Sequence, residues 1–361
     1  MNRSTQSSKT AEGGAKHSSL FSRQNTREGS APWVFLIYAA VTALVILLCV
    51  CVGSVTVPPG QTLRILFGRA SESVSFYSII RVVRLPRVLC VALTGASLSL
   101  CGAAMQGLLK NPLADGSTLG VSSGASLGAV LSIALGLTFP ALPFAGTMVM
   151  AILFAFLSLV VIMSLAYKFD NSLSTNTIIL IGIIFSMFAN AILSLIITFA
   201  HDKLRTITFW TMGSLAGSSY GNALVLAVVL FIGSIIIISR ARELNAFAIG
   251  EDNARNIGVN VKAVRISILI TVAALIGVCV SIGGTIAFVG LVAPHIIRFI
   301  TGPNHKRLLP AAVFGGAVFL MFADLVARTL LRPLELPLGV VTSLVGAVLF
   351  VIIFYRSRRK G

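Results

Sequence analysis

Apolar runs of about twenty residues recur along the chain from Trp33 onward, separated by short polar breaks. A helix of that length crosses the roughly 30 Å hydrocarbon core of a bilayer and satisfies its own backbone there. Hydropathy places ten spans, at about 33–56, 86–108, 118–138, 143–167, 175–199, 222–239, 264–283, 286–301, 309–330 and 337–355. The expected fold is all-α, a polytopic membrane protein with about ten transmembrane helices. An even number of spans puts both chain termini on one side.

Composition removes the soluble alternative. Only 11% of residues are charged, 56% are hydrophobic, and the mean hydropathy is +0.96. A soluble domain carries about twice that charged fraction, and here too few polar residues remain to cover a surface. The net charge of +17 would suit nucleic acid, but its placement does not. Basic residues crowd the N-terminal tail, the loop at 240–263 and the C-terminal Arg356, Arg358, Arg359 and Lys360. With both termini cytoplasmic, 19 of the 28 Lys and Arg lie on the cytoplasmic side and 9 outside, the bias expected of a membrane protein. No nucleic-acid partner is expected, and the polar surface left over faces lipid headgroups and other subunits.

Residues 1–32 lack an apolar pattern and read as a disordered basic tail, followed by a ten-span domain at 33–356 and a short tail at 357–361. The first apolar run is span-length and lacks a small-residue cleavage site, so no cleaved signal peptide is expected. Cysteines 49, 51, 90, 101 and 279 sit in apolar runs, and histidines 17, 201, 295 and 305 are scattered; neither set has metal-ligand spacing.

An offset of 182 lays Leu93, Gly95, Ser99, Gly102, Leu109 and Pro112 on Leu275, Gly277, Ser281, Gly284, Leu291 and Pro294. The copies start five spans apart and therefore cross in opposite senses, as in the inverted repeats of transporters. Shared small-residue packing is the competing explanation. Gly120, Gly124 and Gly128 open span three with the spacing that lets another helix backbone approach.

Chemistry is conspicuous by what is missing. There is no GxxxxGK(S/T) loop for nucleotide phosphates, and no relay of Asp, Glu or His at mid-depth for an ion-coupled carrier. The drive has to come from a partner. Between spans six and seven, Gly250 and Gly258 bracket a short segment with Glu251 and Asp252 in its first turn, Arg255 in its last, and Ala254 and Ile257 on one side. That is a short exposed helix a cytoplasmic motor could grip, or an amphipathic turn on the headgroups. Arg84 and Arg87 flank Leu85-Pro86 at the mouth of span two, and Asp324 and Arg328 lie four apart near the end of span nine. Snorkelling anchors and an intrahelical pair account for them, as does a ring docking an acidic partner. The run Asn171–Thr177 either caps span five or forms a polar constriction.

Several strings then meet a known family. Arg84-Leu-Pro-Arg87, Gly102-Ala-Ala-Met-Gln-Gly107, Asn111-Pro-Leu-Ala-Asp115, Leu119-Gly-Val-Ser-Ser-Gly-Ala125, Trp210-Thr-Met-Gly-Ser-Leu215, Ile249-Gly-Glu-Asp252, Phe288-Val-Gly-Leu-Val-Ala-Pro-His295 and Glu335-Leu-Pro-Leu-Gly-Val-Val341 run through residues 33–356. Over that stretch the chain resembles the permeases of ABC importers for iron–siderophores, haem and cobalamin. The resemblance implies a bacterial inner-membrane permease paired with a second permease, two cytoplasmic ATP-binding subunits and an external substrate-binding protein. It implies no cofactor on this chain, with ATP and Mg held by the ATPase. Arg84, Arg87 and Arg328 match outward-facing arginines that receive the binding protein. Gly250, Glu251, Ala254, Arg255 and Gly258 fall in the loop that matches the coupling helices, and Thr175 and Asn176 match the inner gate. A ferric siderophore is the expected cargo, with cobalamin or haem as alternatives and a secondary carrier as the least favoured reading. No bond is made or broken, so the chain is not expected to be an enzyme in its own right.

Overall fold

A computed structural model describes residues 32–53, 55, 57–68, 76–137, 145–171 and 173–358. The expected tail, apart from its last residue, and residues 359–361 lie outside this set. The described residues form α1 (Pro32–Cys51), α2 (Pro59–Leu66), α3 (Leu85–Leu108), α4 (Val121–Leu135), α5 (Ala145–Phe169), α6 (Thr175–Phe199), α7 (Leu204–Thr211), α8 (Tyr220–Ser239), α9 (Ala241–Ile249), α10 (Glu251–Asn256), α11 (Val261–Gly283), α12 (Val289–Thr301), α13 (His305–Thr329) and α14 (Leu338–Arg358). A π-helical turn, Ile79–Arg84, leads into α3. No strand occurs among them.

All ten predicted spans appear as helices, but two are too short to cross. α4 has 15 residues and α12 has 13. At 1.5 Å per residue they reach about 20–22 Å, against a core of about 30 Å. Both follow non-helical segments that carry buried residues, Ala114 and Asp115 before α4 and Gly284 before α12. Such a segment survives in a membrane only when protein surrounds it.

The bundle is built around α3, whose sequence explains its position. Gly95, Ala96, Gly102, Ala103 and Ala104 leave little side-chain bulk at their positions, so neighbours approach there at backbone distance. A Cβ on Gly95 would strike the Gly316 carbonyl of α13, and one on Gly102 the Gly290 carbonyl of α12. α11 is the other deeply buried long helix. α1, α5, α6 and α8 keep Leu, Ile, Val and Phe outward, as helices facing lipid or another subunit do.

The inverted repeat is present as architecture. A long buried helix, a half-length helix and a long helix follow one another as α3–α4–α5 and again as α11–α12–α13. α3 and α11 run in opposite senses, because Arg87 at the start of α3 meets Asp324 near the end of α13, while Arg265 near the start of α11 meets Glu251 at the opposite end of the bundle. The residue register at offset 182 is not the structural one. It places Gly102, inside α3, on Gly284, just beyond α11, and Pro112, in a loop, on Pro294 inside α12. Small-residue apolar helices share identities in almost any register, so direction and length carry the duplication and those six identities do not.

Candidate functional site

Two polar clusters mark the ends of the bundle. At one end the sequence brings together the arginines singled out above. Pro86 suits the first turn of α3 and the preceding π turn aims Arg84 back at α1. Arg84 Nη1 donates to the Val50 and Cys51 carbonyls at 3.1 Å each, and its Nη2 to Val55. Gly53 leaves the room: a Cβ there would stand 2.7 Å from the guanidinium carbon. Arg328 Nη2 reaches the Cys49 carbonyl at 2.8 Å. The last carbonyls of α1 have no partner within their helix, and two cations supply one at the negative end of its dipole.

Arg87 is held by two carboxylates, Asp324 at 2.9 Å and Glu335 at 2.7 Å, and Asp324 also pairs with Arg328 at 3.0 Å. Arg84, Arg87 and Arg328 are only 4%, 7% and 3% exposed. This corrects the expectation of an outward-facing ring. The three guanidinium groups are spent on internal partners, and the intrahelical Asp324–Arg328 pair is one edge of a four-residue cluster. Sequence spacing showed the edge within α13; Arg87 and Glu335 joined it only through the packing of α3 against α13. Among the described residues the exposed cations at this end are Arg64, Arg205 and Arg332.

At the other end α9 and α10 form the short helix pair. Gly250 turns the chain between them at φ 129°, and Gly258 closes α10 at φ 89°, conformations that a side chain would strain. Glu251 pairs with Arg265 of α11 at 2.5 Å, tying α10 to a long helix, whereas Arg255 and Asp252 make a looser exposed pair at 3.9 Å. Ala254 is fully buried and Ile257 is 70% exposed, so the two do not share a face as the sequence spacing implied. The outward apolar pair is Ile249, 73% exposed, with Ile257. Ile249 was missed because it closes α9, just before the turn at Gly250.

α9 is itself anchored. The Asn245 side chain meets Asn304 at 2.8 Å and His305 at 2.8 Å, at the start of α13. Beside them Gln106, near the end of α3, donates to the Gly290 and Leu291 carbonyls of α12, and its oxygen accepts from Arg298. These bonds tie α9 to α13, which packs along α3 up to the arginine end. Asn245 and His305 were legible only as scattered polar residues.

At the start of α6 the Ser174 hydroxyl accepts from the Thr177 amide, and Asp170 accepts from the Ser174 amide at 3.1 Å. Capping accounts for Ser174 and Thr177; Thr175 is half-buried and Asn176 exposed at the helix mouth. The small-residue expectation for α4 needs one adjustment. Gly124 and Gly128 admit Ser158, Phe154 and Met150 of α5, but Gly120 precedes the helix at φ 77° and packs on Gly182 of α6.

Comparison with known proteins decides the assignment. The FecCD transport family matches residues 41–356. The chain belongs to that family. Among curated FecCD-like relatives, the uncharacterized ABC transporter permease YvrB of Bacillus subtilis is 40% identical over 91% of this chain and 94% of its own length. The hemin transport permease HmuU of Yersinia pestis is 37% identical over 77% of this chain and 83% of its own. Other relatives carry the names of cobalamin and molybdate import permeases. A solved metal-chelate type ABC transporter in an inward-facing conformation superposes with a TM-score of 0.77 at 31% identity, covering 90% of this chain and 99% of that one. This FecCD chain is thus an ABC importer permease, a multi-pass membrane protein whose relatives are permease subunits.

Proposed function

We propose that the chain imports a ferric siderophore into the cytoplasm of a bacterium, powered by a separate ATPase. The reading that carries most weight is the outward pair Ile249 and Ile257, on a short helix pair tied by Glu251–Arg265 and Asn245–His305 to the long helices. Exposed apolar side chains on an otherwise polar loop suit a protein partner. The excess of Lys and Arg in that loop supports a cytoplasmic position for that end and for both termini, with the arginine end outside. ATP and Mg belong to the ATPase. An external binding protein docks over Arg64 and Arg332, with Arg84, Arg87 and Arg328 holding the helix ends beneath it. A second permease, a copy or a relative of this chain, packs beside α6, where Thr175 and Asn176 stand at the inner mouth of the path.

Alternating access follows. ATP binding closes the ATPase pair, α9 and α10 move, and α13 and α3 carry the displacement to the arginine end. Ile249→Asp is expected to cut ATP-driven uptake at least tenfold while the chain still reaches the membrane, because a charge in an apolar contact costs on the order of 2 kcal/mol. Normal uptake by that variant would remove the coupling assignment. Uptake of labelled ferric siderophores, haemin and cobalamin, compared under iron limitation with and without the chain, tests the cargo. Selective loss of one ferric siderophore is the expected result; loss of haemin or cobalamin uptake instead keeps the machine and replaces the cargo.

A further inference from the structure

Both half-length helices begin inside the bundle. Gly124, in the first turn of α4, lies against Ser158 near the middle of α5, and Gly290 of α12 lies against Gly102 within α3. No side chain caps either start, although at α4 the Gly120 and Ser122 amides donate to the Ser117 and Gly116 carbonyls at 3.0 and 3.2 Å. A helix start leaves backbone amides unpartnered and carries the positive end of its dipole, and hydrocarbon offers nothing to meet them.

The two starts share one space and differ in the next. Phe288 and Gly290, at the start of α12, and Ser122, at the start of α4, border a water-sized gap of about 20 Å³ with Asp115, whose carboxylate accepts from the Ser117 hydroxyl and the Ser117 and Thr118 amides. The start of α4 opens on a cavity of about 300 Å³. Ser122, Ser123 and Ser126 of α4, Thr94 of α3, Asn190 of α6 and Thr285 border it, and among the described residues no charged side chain does. Thr94 is 0% exposed and its hydroxyl has no hydrogen-bond partner. A buried hydroxyl of this kind normally back-bonds within its helix or meets water or a ligand. Asn190 and the half-buried Ser122 and Ser123 stand where the cavity opens on the α6 side.

We propose that this cavity is a transient binding recess for electron-rich oxygens at the periphery of the cargo, such as the carboxylate, hydroxamate or catecholate oxygens of a ferric chelate. The choice of a ferric chelate rests on the function proposed above; the oxygen preference rests on the recess. A helix start, the Thr94, Ser122 and Ser123 hydroxyls and the Asn190 side-chain amide favour partial negative charge, whereas the Ser126 and Thr285 hydroxyls already donate to the Ser122 and Thr211 carbonyls. The lack of lysine and arginine keeps the hold weak, which a transport path requires if cargo is to leave.

Ser123→Cys tests it in the assembled transporter in lipid nanodiscs. Rates of modification by a sulfonate-bearing and a trimethylammonium-bearing methanethiosulfonate are each divided by the rate for a small free thiol, and the parent chain serves as control for the native cysteines. The expected result is about tenfold faster normalised reaction with the anionic reagent, slowed by millimolar ferric trihydroxamate. Equal rates, a cationic preference, or no reaction with either reagent in a folded complex overturns the recess. An anionic preference protected by haemin or cobalamin but not by the trihydroxamate upholds the recess and overturns the ferric reading. Protection by none of the three overturns its role toward cargo. Ser122→Cys, in the same turn, is read the same way if the first variant does not assemble.

Discussion

Asp324→Asn is expected to destabilise the permease by about 3–5 kcal/mol, enough to remove most of the folded protein. The carboxylate serves Arg87 and Arg328 together, and both guanidinium groups are buried where water cannot replace it. With Asn in its place the cluster keeps three arginines, counting Arg84, against the single carboxylate of Glu335. Glu335→Gln provides the contrast. Its side chain is about a third exposed, and it shares Arg87 with Asp324, so the expected cost is roughly 1 kcal/mol or less. Thermal unfolding midpoints of the two variants in detergent measure the difference. Equal shifts would mean that the buried pairs do not hold α3 to α13.

Gly102→Val is the second large effect. The new side chain would enter the space of the Gly290 carbonyl, and because that atom belongs to backbone, neither partner can rotate away. The start of α12 has to leave α3, taking with it the hydrogen bonds of Gln106 to Gly290 and Leu291. Overpacking of this kind typically costs 1–3 kcal/mol, and a backbone clash lies at or above the top of that range. Gly217→Ala, where a Cβ meets nothing within 4 Å, should leave stability unchanged. Retention of monodisperse protein on gel filtration separates the outcomes: a Gly102→Val chain that elutes and melts like the parent would show that α12 does not need this contact.

The contrast between these two sites shows what is legible in a chain of this kind. Gly102 stands out in the sequence because small residues repeat through α3, but its partner at Gly290 does not, being nearly two hundred residues away on a helix whose start is hidden within an apolar run. Hydropathy averages over windows and cannot tell a full span from a half span with a buried loop before it. It therefore read α4 at full length, 118–138, counted the shorter 286–301 as a span, and missed the cavity where α4 begins. Arg84, Arg87 and Arg328 were found by sequence, and their direction was not. Charge beside a span reads as an interface to the outside until a helix end is found that needs it.

The linear order of residues was sufficient for the all-α membrane fold, the approximate position of its apolar helices, the basic loop and its two glycines, and the family motifs. Each depends on local composition and on the thickness of a bilayer, which apply to a segment without regard to its neighbours. Tertiary structure alone decided which helices cross fully, that the arginines face inward to cap α1 and hold Asp324, that Ile249 and Ile257 form the exposed pair, and that the start of α4 opens on a hydroxyl-lined cavity. Those properties are relations between side chains far apart in the chain. In a membrane, where apolar surface alone does not choose helix partners, backbone contact between small residues and the pairing of buried charges make that choice.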